Sequence, residues 1–331
     1  VGGESTATLI DEIPGTDQKL YDQAMRQLGK LAGLEEIKRE FQELVAVLRI
    51  NKQRAHLGLS SEPPLSHYIF SGPPGTGKTT VARILGSILK SLGYLSKGQF
   101  VETDRAGLIG RYLGETAVKT TKVVEQALGG VLFIDEAYAL ASKHELDSYS
   151  TEAVATLLKL MEDKRKEFVV IAAGYGAEMR TFIESNPGLE SRFSQHVQFG
   201  SYSAQALTEI FAGFMANSGF LADAETTKGV SRLLEMLKER GTERFGNARV
   251  VRVLFDKMTR RQSVRLLKEE GVAEKVRFST FTFEDIPCEE MLSVSNERLR
   301  ELVNDPAALS SNEPQVFIDP KIAFRGAFFA N

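Results

Sequence analysis

The octet Gly72-Pro73-Pro74-Gly75-Thr76-Gly77-Lys78-Thr79 leaves this chain few folds to choose from. It has the form G-x-x-x-x-G-K-[ST], the P-loop pattern, which carries chemical meaning between a strand and a helix. Both flanks meet that condition. His67-Tyr68-Ile69-Phe70 is short, apolar and rich in strand formers, and Val81, Ile84, Leu85, Ile88 and Leu89 follow at helical spacing. The three glycines let the backbone curl with its N–H groups inward, forming an anion nest. The start of the helix adds its positive dipole end. Lys78 supplies a point charge for the β- and γ-phosphates, and the Thr79 hydroxyl is a hard oxygen ligand for Mg2+.

A second stretch complements the first. Gly130-Val131-Leu132-Phe133-Ile134-Asp135-Glu136 reads as a buried parallel strand that ends in two carboxylates. Ligands of open α/β sheets bind at that edge. Asp135 is expected to hold Mg2+ through water, and Glu136 to polarise the water that attacks the γ-phosphate. Another buried strand, Phe168 to Ala173, ends in Gly174-Tyr175. Tyr175 is therefore a candidate to sense the γ-phosphate, and packing explains it equally well. The loop from Ala106 to Glu115 places Tyr112 among glycines; its residues alone fit a packing aromatic as well as a functional one. Arg192 follows a turn and precedes a last strand, His196 to Phe199. It can stabilise transition-state charge if a neighbouring subunit presents it, although a solvated arginine is the plainer reading.

With 331 residues the chain has room for two domains. Its net charge of −3 argues against a nucleic-acid partner. Cys288 is the single cysteine, so an intrachain disulfide is excluded. Four scattered histidines form no metal-ligand spacing. No apolar run approaches the about 18 to 20 residues that span a bilayer, and no basic-then-apolar signal opens the chain. Val1 stands where an initiator Met would, which fits a processed start. The expected compartment is the cytoplasm.

Residues 1–29 are polar and broken by glycine and proline, and are expected to be an N-terminal leader with a helix beginning near Asp17. A long amphipathic helix follows from Glu35 to His56. Strand signals stop at Gly200 to Ser203, which marks a domain boundary. Helical patterns then cover 204–217, 225–240 and 247–268. Arg249 opens the third of these, where it can reach back to a nucleotide. Lys257, Arg260, Arg261, Arg265 and Lys268 make a basic helix, read as a solvated face. Residues from about 305 read as a tail, whose Phe324, Phe328 and Phe329 can dock on the protein or a neighbour.

These segments, with Leu92 to Gly98, Asp104-Arg105, Tyr112-Leu113-Gly114, Ala127 to Tyr138, Ala173-Gly174-Tyr175 and Asn186 to Arg192, resemble those of an AAA+ ATPase. The likeness covers about residues 30 to 290. Within AAA+ it points to the group of the red-type Rubisco activase CbbX (CfxQ) and the sporulation protein SpoVK, similar also to the ATPase part of EccA. The resemblance implies an α/β P-loop NTPase domain over 30–200, a parallel five-stranded sheet flanked by helices. A smaller α-helical lid over 201–290 and a C-terminal extension over 291–331 would follow.

It also implies roles. Lys78, Glu136, Arg192 and Arg249 would be catalytic, with Arg192 a finger acting in trans and Arg249 a sensor-2 arginine acting in cis. Gly33 and Leu34 fall in the segment that lines the adenine pocket. Pro74, Gly75, Thr76, Gly77, Thr80 and Tyr175 complete the nucleotide contacts, and Thr79 and Asp135 hold the metal. Tyr112 and Leu113 match the pore loop that grips a client polypeptide. ATP and Mg2+ are the implied cofactors, and a homo-hexameric ring with a protein client the implied assembly. Two positions depart from the pattern. Tyr175 stands where many AAA+ proteins have Asn, and Glu115 follows the Tyr-x-Gly where the activases often differ. A slow ATP-dependent scaffold that assembles with partners without threading is the alternative, and a nucleic-acid motor is disfavoured by the weak acidity.

Overall fold

Five short runs of β-branched, aromatic and small apolar residues pair into one parallel sheet in the computed structural model. The described residues are 15–59, 65–112, 114–141, 148–241, 245–269 and 275–304. The strands are β1 (Tyr68–Ser71), β2 (Phe100–Thr103), β3 (Val131–Ile134), β4 (Val169–Gly174) and β5 (Gln195–Gln198), in the order β2-β3-β4-β1-β5. Tyr68 stands opposite Ile171 of β4 on one side and Gln195 of β5 on the other.

Alternate strand residues feed two separate cores, as a pleated strand requires. Phe70, Phe133, Val169 and Ile171 join a cluster with α1 (Gln18–Gly29), α2 (Glu35–His56) and α3 (Lys78–Ser91). Ile69, Leu132, Ile134 and Val170 join the other. There they meet α5 (Glu115–Ala127), α6 (Ser148–Asp163), α7 (Gly176–Glu184) and α8 (Pro187–Arg192), while the short α4 (Arg105–Leu108) adds Leu108. The sheet is therefore the buried middle of three layers.

The helix expected near Asp17 forms as α1, but it packs on the domain and is not part of a leader. Asp17 accepts a hydrogen bond from the Leu20 N–H at 3.0 Å and caps α1. Ala24 and Leu28 are buried in the first core. Burying a leucine contributes about 2 kcal/mol, enough to keep a short amphipathic helix on the domain.

The chain divides into two compact units. The first comprises residues up to Gly72 and Gly77–Phe199; the second comprises Pro73–Thr76 together with the chain from Gly200 onward. The second unit is helical. It contains α9 (Ala204–Ser218), α10 (Ala224–Glu239), α11 (Ala248–Lys268), α12 (Lys275–Phe278), α13 (Cys288–Leu292) and α14 (Asn296–Asn304). A two-stranded parallel ribbon joins β6 (Leu221–Ala222) to β7 (Thr280–Phe281). Phe220 stacks on Phe281 with ring centroids 4.4 Å apart, and Phe255 meets both edge-on.

Two expectations change here. The boundary expected after residue 290 falls inside α13, and α14 packs on α10 with Leu299 and Leu302 buried. The basic helix is not simply a solvated face. Arg265 makes two parallel 3.0 Å bonds to the buried Asp285, Arg261 donates to the Ile286 carbonyl at 2.7 Å, and Lys257 pairs with Glu290. These cations fasten α11 to the segment 285–290. Phe324, Phe328 and Phe329 of the tail lie outside the described residues.

Candidate functional site

β1 sits between β4 and β5; its own crossover runs to β2 on the β4 side, whereas the crossover from β4 runs the other way to β5, and this reversal opens a crevice at the carboxyl ends of β1 and β4. The octet occupies that end. Gly72 N–H donates to the Gly174 carbonyl at 3.0 Å, tying the loop's start to β4, and Lys78 Nζ donates to the Gly72 carbonyl at 2.8 Å. Gly77, with φ +92°, caps α3, which then opens with Lys78, Thr79 and Thr80. Thr76 is fully buried and its hydroxyl donates to the Pro73 carbonyl at 2.9 Å.

Gly75 is required twice over. Its φ is +69°, and a Cβ there would lie 2.2 Å from the Gly246 carbonyl oxygen. The same imagined Cβ would lie 3.2 Å from Arg249 Cγ, so the structure brings Arg249 to the loop. The Arg249 residue is exposed.

The carboxylates lie at the same edge of the sheet, at the end of β3. Asp135 N–H donates to the Thr103 carbonyl at 2.8 Å, and its Oδ1 accepts from the Glu136 N–H at 3.0 Å. Glu136 is exposed and adopts φ +49°, ψ +40°, a left-handed conformation uncommon for a non-glycine residue. Such strain gathers where a side chain must be aimed. Tyr138, one turn on, has its hydroxyl pKa raised, first by burial and then by the Glu136 charge, by Tyr175 and by a hydrogen bond to Glu136. Its ring lies 5.6 Å from that of Tyr175, which caps α7 at the end of β4. Glu136, Tyr138 and Tyr175 thus form one cluster, and Tyr138 went unnoticed in the sequence because it reads as a helix-start aromatic.

Three predicted groups stand elsewhere. Gly33 and Leu34 open α2, both with φ +61°, and Leu34 packs against the first core. Arg192 ends α8, just ahead of β5, at the amino edge of the sheet; there it meets Glu162 at 3.4 Å. Tyr112 is 71% exposed. Its N–H and that of Arg111 both donate to Glu115 Oε2, at 3.3 and 3.1 Å. Leu113 lies outside the described residues.

A phosphate loop at the switch point of a parallel sheet, with paired carboxylates two strands away, defines a P-loop nucleoside triphosphatase. Comparison with known proteins narrows this. Residues 68–201 match the model of the ATPase family associated with various cellular activities (AAA), and residues 203–296 match the AAA lid domain. The chain is 41% identical over 256 residues to the CfxQ protein of Xanthobacter flavus, covering 77% of this chain and 80% of that one. It is 42% identical over 243 residues to stage V sporulation protein K of Bacillus subtilis, covering 73% and 75%. It is 39% identical over 269 residues to the chloroplastic ribulose bisphosphate carboxylase/oxygenase activase of Cyanidioschyzon merolae, covering 81% and 90%. Among solved structures, the FIGL-1 AAA domain in complex with ADP superimposes with a TM-score of 0.50 at 21% identity, covering 72% of this chain and 74% of that one. That likeness concerns the fold. The chain belongs to the AAA ATPase family and hydrolyses ATP as that family does.

Proposed function

We propose that this ATPase works as a hexameric ring in the cytoplasm, using hydrolysis to pull on and remodel a protein client through a central channel. The observation that carries the reading is Tyr112. Large aromatics usually find a core, yet this one is 71% exposed on a backbone that Glu115 holds in place. An aromatic presented in that way suits gripping a polypeptide. One relative is named an activase of ribulose bisphosphate carboxylase/oxygenase, and a folded protein of that kind is a client for which such a grip is useful.

Within each subunit the loop's N–H groups and the start of α3 receive the phosphates, and Lys78 adds charge. Pro74 to Gly77 and Thr80 complete the cradle, and Gly33 and Leu34 line the adenine. Thr79 and Asp135 offer hard oxygens from the start of α3 and the end of β3, the donor type that Mg2+ takes alongside phosphates and water. When bound, that ion would supply positive charge to the phosphates. Glu136 orients and polarises the attacking water, and Tyr138 and Tyr175 hold its carboxylate in register. Arg249 reaches the phosphates in cis.

Arg192 acts in trans. It lies at the amino edge of the sheet and its own P-loop at the carboxyl edge, a strand length of roughly 13 Å away. It can serve only the site of a neighbour, where it offsets charge in the transition state.

The test is a trap. Glu136→Gln is expected to bind ATP and lose hydrolysis by at least about a hundredfold. Proteins recovered with it from native lysate are compared with those recovered by Glu136→Gln combined with Tyr112→Ala. Specific proteins held by the first and released by the second support threading. Equal catches, or none despite ATP binding, favour a scaffold that assembles without gripping.

A further inference from the structure

Pro73–Thr76 cluster with the second unit, and the hydrogen bonds they make there share one direction. Asn247 Nδ2 donates to the Pro74 carbonyl at 3.2 Å, Ala248 N–H to the Gly75 carbonyl at 3.1 Å, and the Tyr202 hydroxyl to the Thr76 carbonyl at 2.9 Å. Three consecutive carbonyls are drawn to donors of one unit. In a planar trans peptide the C=O and the next N–H point opposite ways. Holding these carbonyls therefore turns the N–H groups of Gly75, Thr76 and Gly77 away from the donors Asn247, Ala248 and Tyr202. None of the three donates to a group of the described residues. They are the N–H groups a phosphate nest requires.

Asn247 is built for this. It is fully buried, and its φ of +47° with ψ −122° is a conformation that favours glycine. Such strain persists where the surroundings over-determine it. Here the amide does so: Nδ2 also donates to the Phe245 carbonyl at 2.9 Å, and Oδ1 accepts from the Tyr202 N–H at 2.9 Å. One side chain joins Tyr202, Phe245 and the loop. Tyr202 is buried, which pushes its hydroxyl up to about 12 and keeps it a donor.

We propose that Asn247 and Tyr202 are positioning residues for the nucleotide: without touching phosphate, they aim the three N–H groups that bind it. The proposal rests on the ATP-site reading of the P-loop, and goes beyond it by placing the control of loop geometry in two residues outside the motif.

The test measures Kd for Mg2+-ATP and for ADP on the full chain by calorimetry, with the unfolding temperature recorded without nucleotide. Tyr202→Phe removes one hydroxyl. Asn247→Gly removes the amide and keeps a backbone that glycine adopts freely. Lys78→Ala is the control on the site itself. Tyr202→Phe is expected to raise Kd about fivefold and Asn247→Gly about tenfold. The factor should be the same for ATP and ADP, because the nest serves phosphates they share. A purely structural role would lower the unfolding temperature and leave both Kd values within about twofold of wild type; that result, with binding lost in Lys78→Ala, overturns the proposal and spares the ATP site. Wild-type binding by Lys78→Ala overturns both. If Asn247→Gly does not fold, the Tyr202→Phe values decide.

Discussion

Two glycine-bracketed loops of this protein each run into the start of a helix, and they are held in opposite ways. In the P-loop, the carbonyls of Gly72 to Thr76 all accept hydrogen bonds, and a Cβ at Gly72 or Gly75 would lie 2.2 Å from a backbone oxygen. In the loop before α5 the base is tight: Gly110 N–H donates to Thr116 Oγ1 at 3.1 Å, and a Cβ at Gly110 would lie 2.5 Å from Glu115 Cβ. At the tip, however, a Cβ at Gly114 would meet nothing among the described residues within 4 Å, and the arc bearing Tyr112 is fastened through Glu115. The difference fits what each loop is proposed to bind. A phosphate is small, fixed in shape and bound by N–H direction, so its loop is clenched from behind. A polypeptide, the ligand proposed for Tyr112, varies along its length, which suits a tyrosine displayed on a light support.

The strongest way to break this contrast is one methyl group in each loop. Gly75→Ala combines left-handed strain of about 1–2 kcal/mol with a collision against the Gly246 carbonyl. ATP affinity is expected to fall by more than about a hundredfold, read by calorimetry. Gly114→Ala carries the strain alone, at φ +84°, and ATP affinity is expected to stay within about twofold of wild type. Equal losses would mean that the two loops are equally constrained.

A second test concerns the other end of β1, where His67 is buried and its Nδ1 accepts from the Val170 N–H at 2.9 Å. Burial, and then the nearby Arg192 charge, lower its pKa from 6.5 to about 4. Between those values the unfolded chain binds the extra proton and the folded chain does not. Stability from this group is thus complete above about pH 6.5 and declines as pH falls, by about 1.4 kcal/mol per unit. His67→Gln keeps an acceptor and removes the titration. Its urea midpoint is expected to fall less than that of wild type between pH 6.5 and 4.5; parallel curves would remove His67 as an anchor of β1.

The legible parts of this molecule were those in which neighbours in sequence act together. The octet, the Asp135-Glu136 pair and the helix Glu35–His56 each carry a local pattern, and the structure forms them where that pattern lies. The illegible parts act across distance. Asn247 and Pro74 are 173 positions apart, and Tyr202 and Thr76 are 126 apart, so nothing near either residue announces the bond. Residues 18–29 read as a leader because their apolar stripe is thin and its partner, α3, begins far along the chain. The cations of α11 read as solvated because Asp285 and Glu290, their partners, return only after α12 and β7. A lone cation pattern cannot distinguish water from a carboxylate brought up by tertiary folding.

The smallest effect tests the light support itself. Glu115 Oε2 accepts from two consecutive N–H groups, those of Arg111 and Tyr112, and both residues are exposed. In water, one such carboxylate bond contributes about 1 kcal/mol net, which corresponds to about a fivefold change in local opening. Glu115→Ala is therefore expected to speed hydrogen exchange at the Arg111 and Tyr112 amides about fivefold and to leave the amides of β1 and α3 unchanged. Glu115→Gln retains a carbonyl oxygen of the same reach and should restore most of the protection. Unchanged exchange in Glu115→Ala would show that the tyrosine is carried on a backbone rigid without its carboxylate. The two loops would then differ only in what crowds them, not in what holds them.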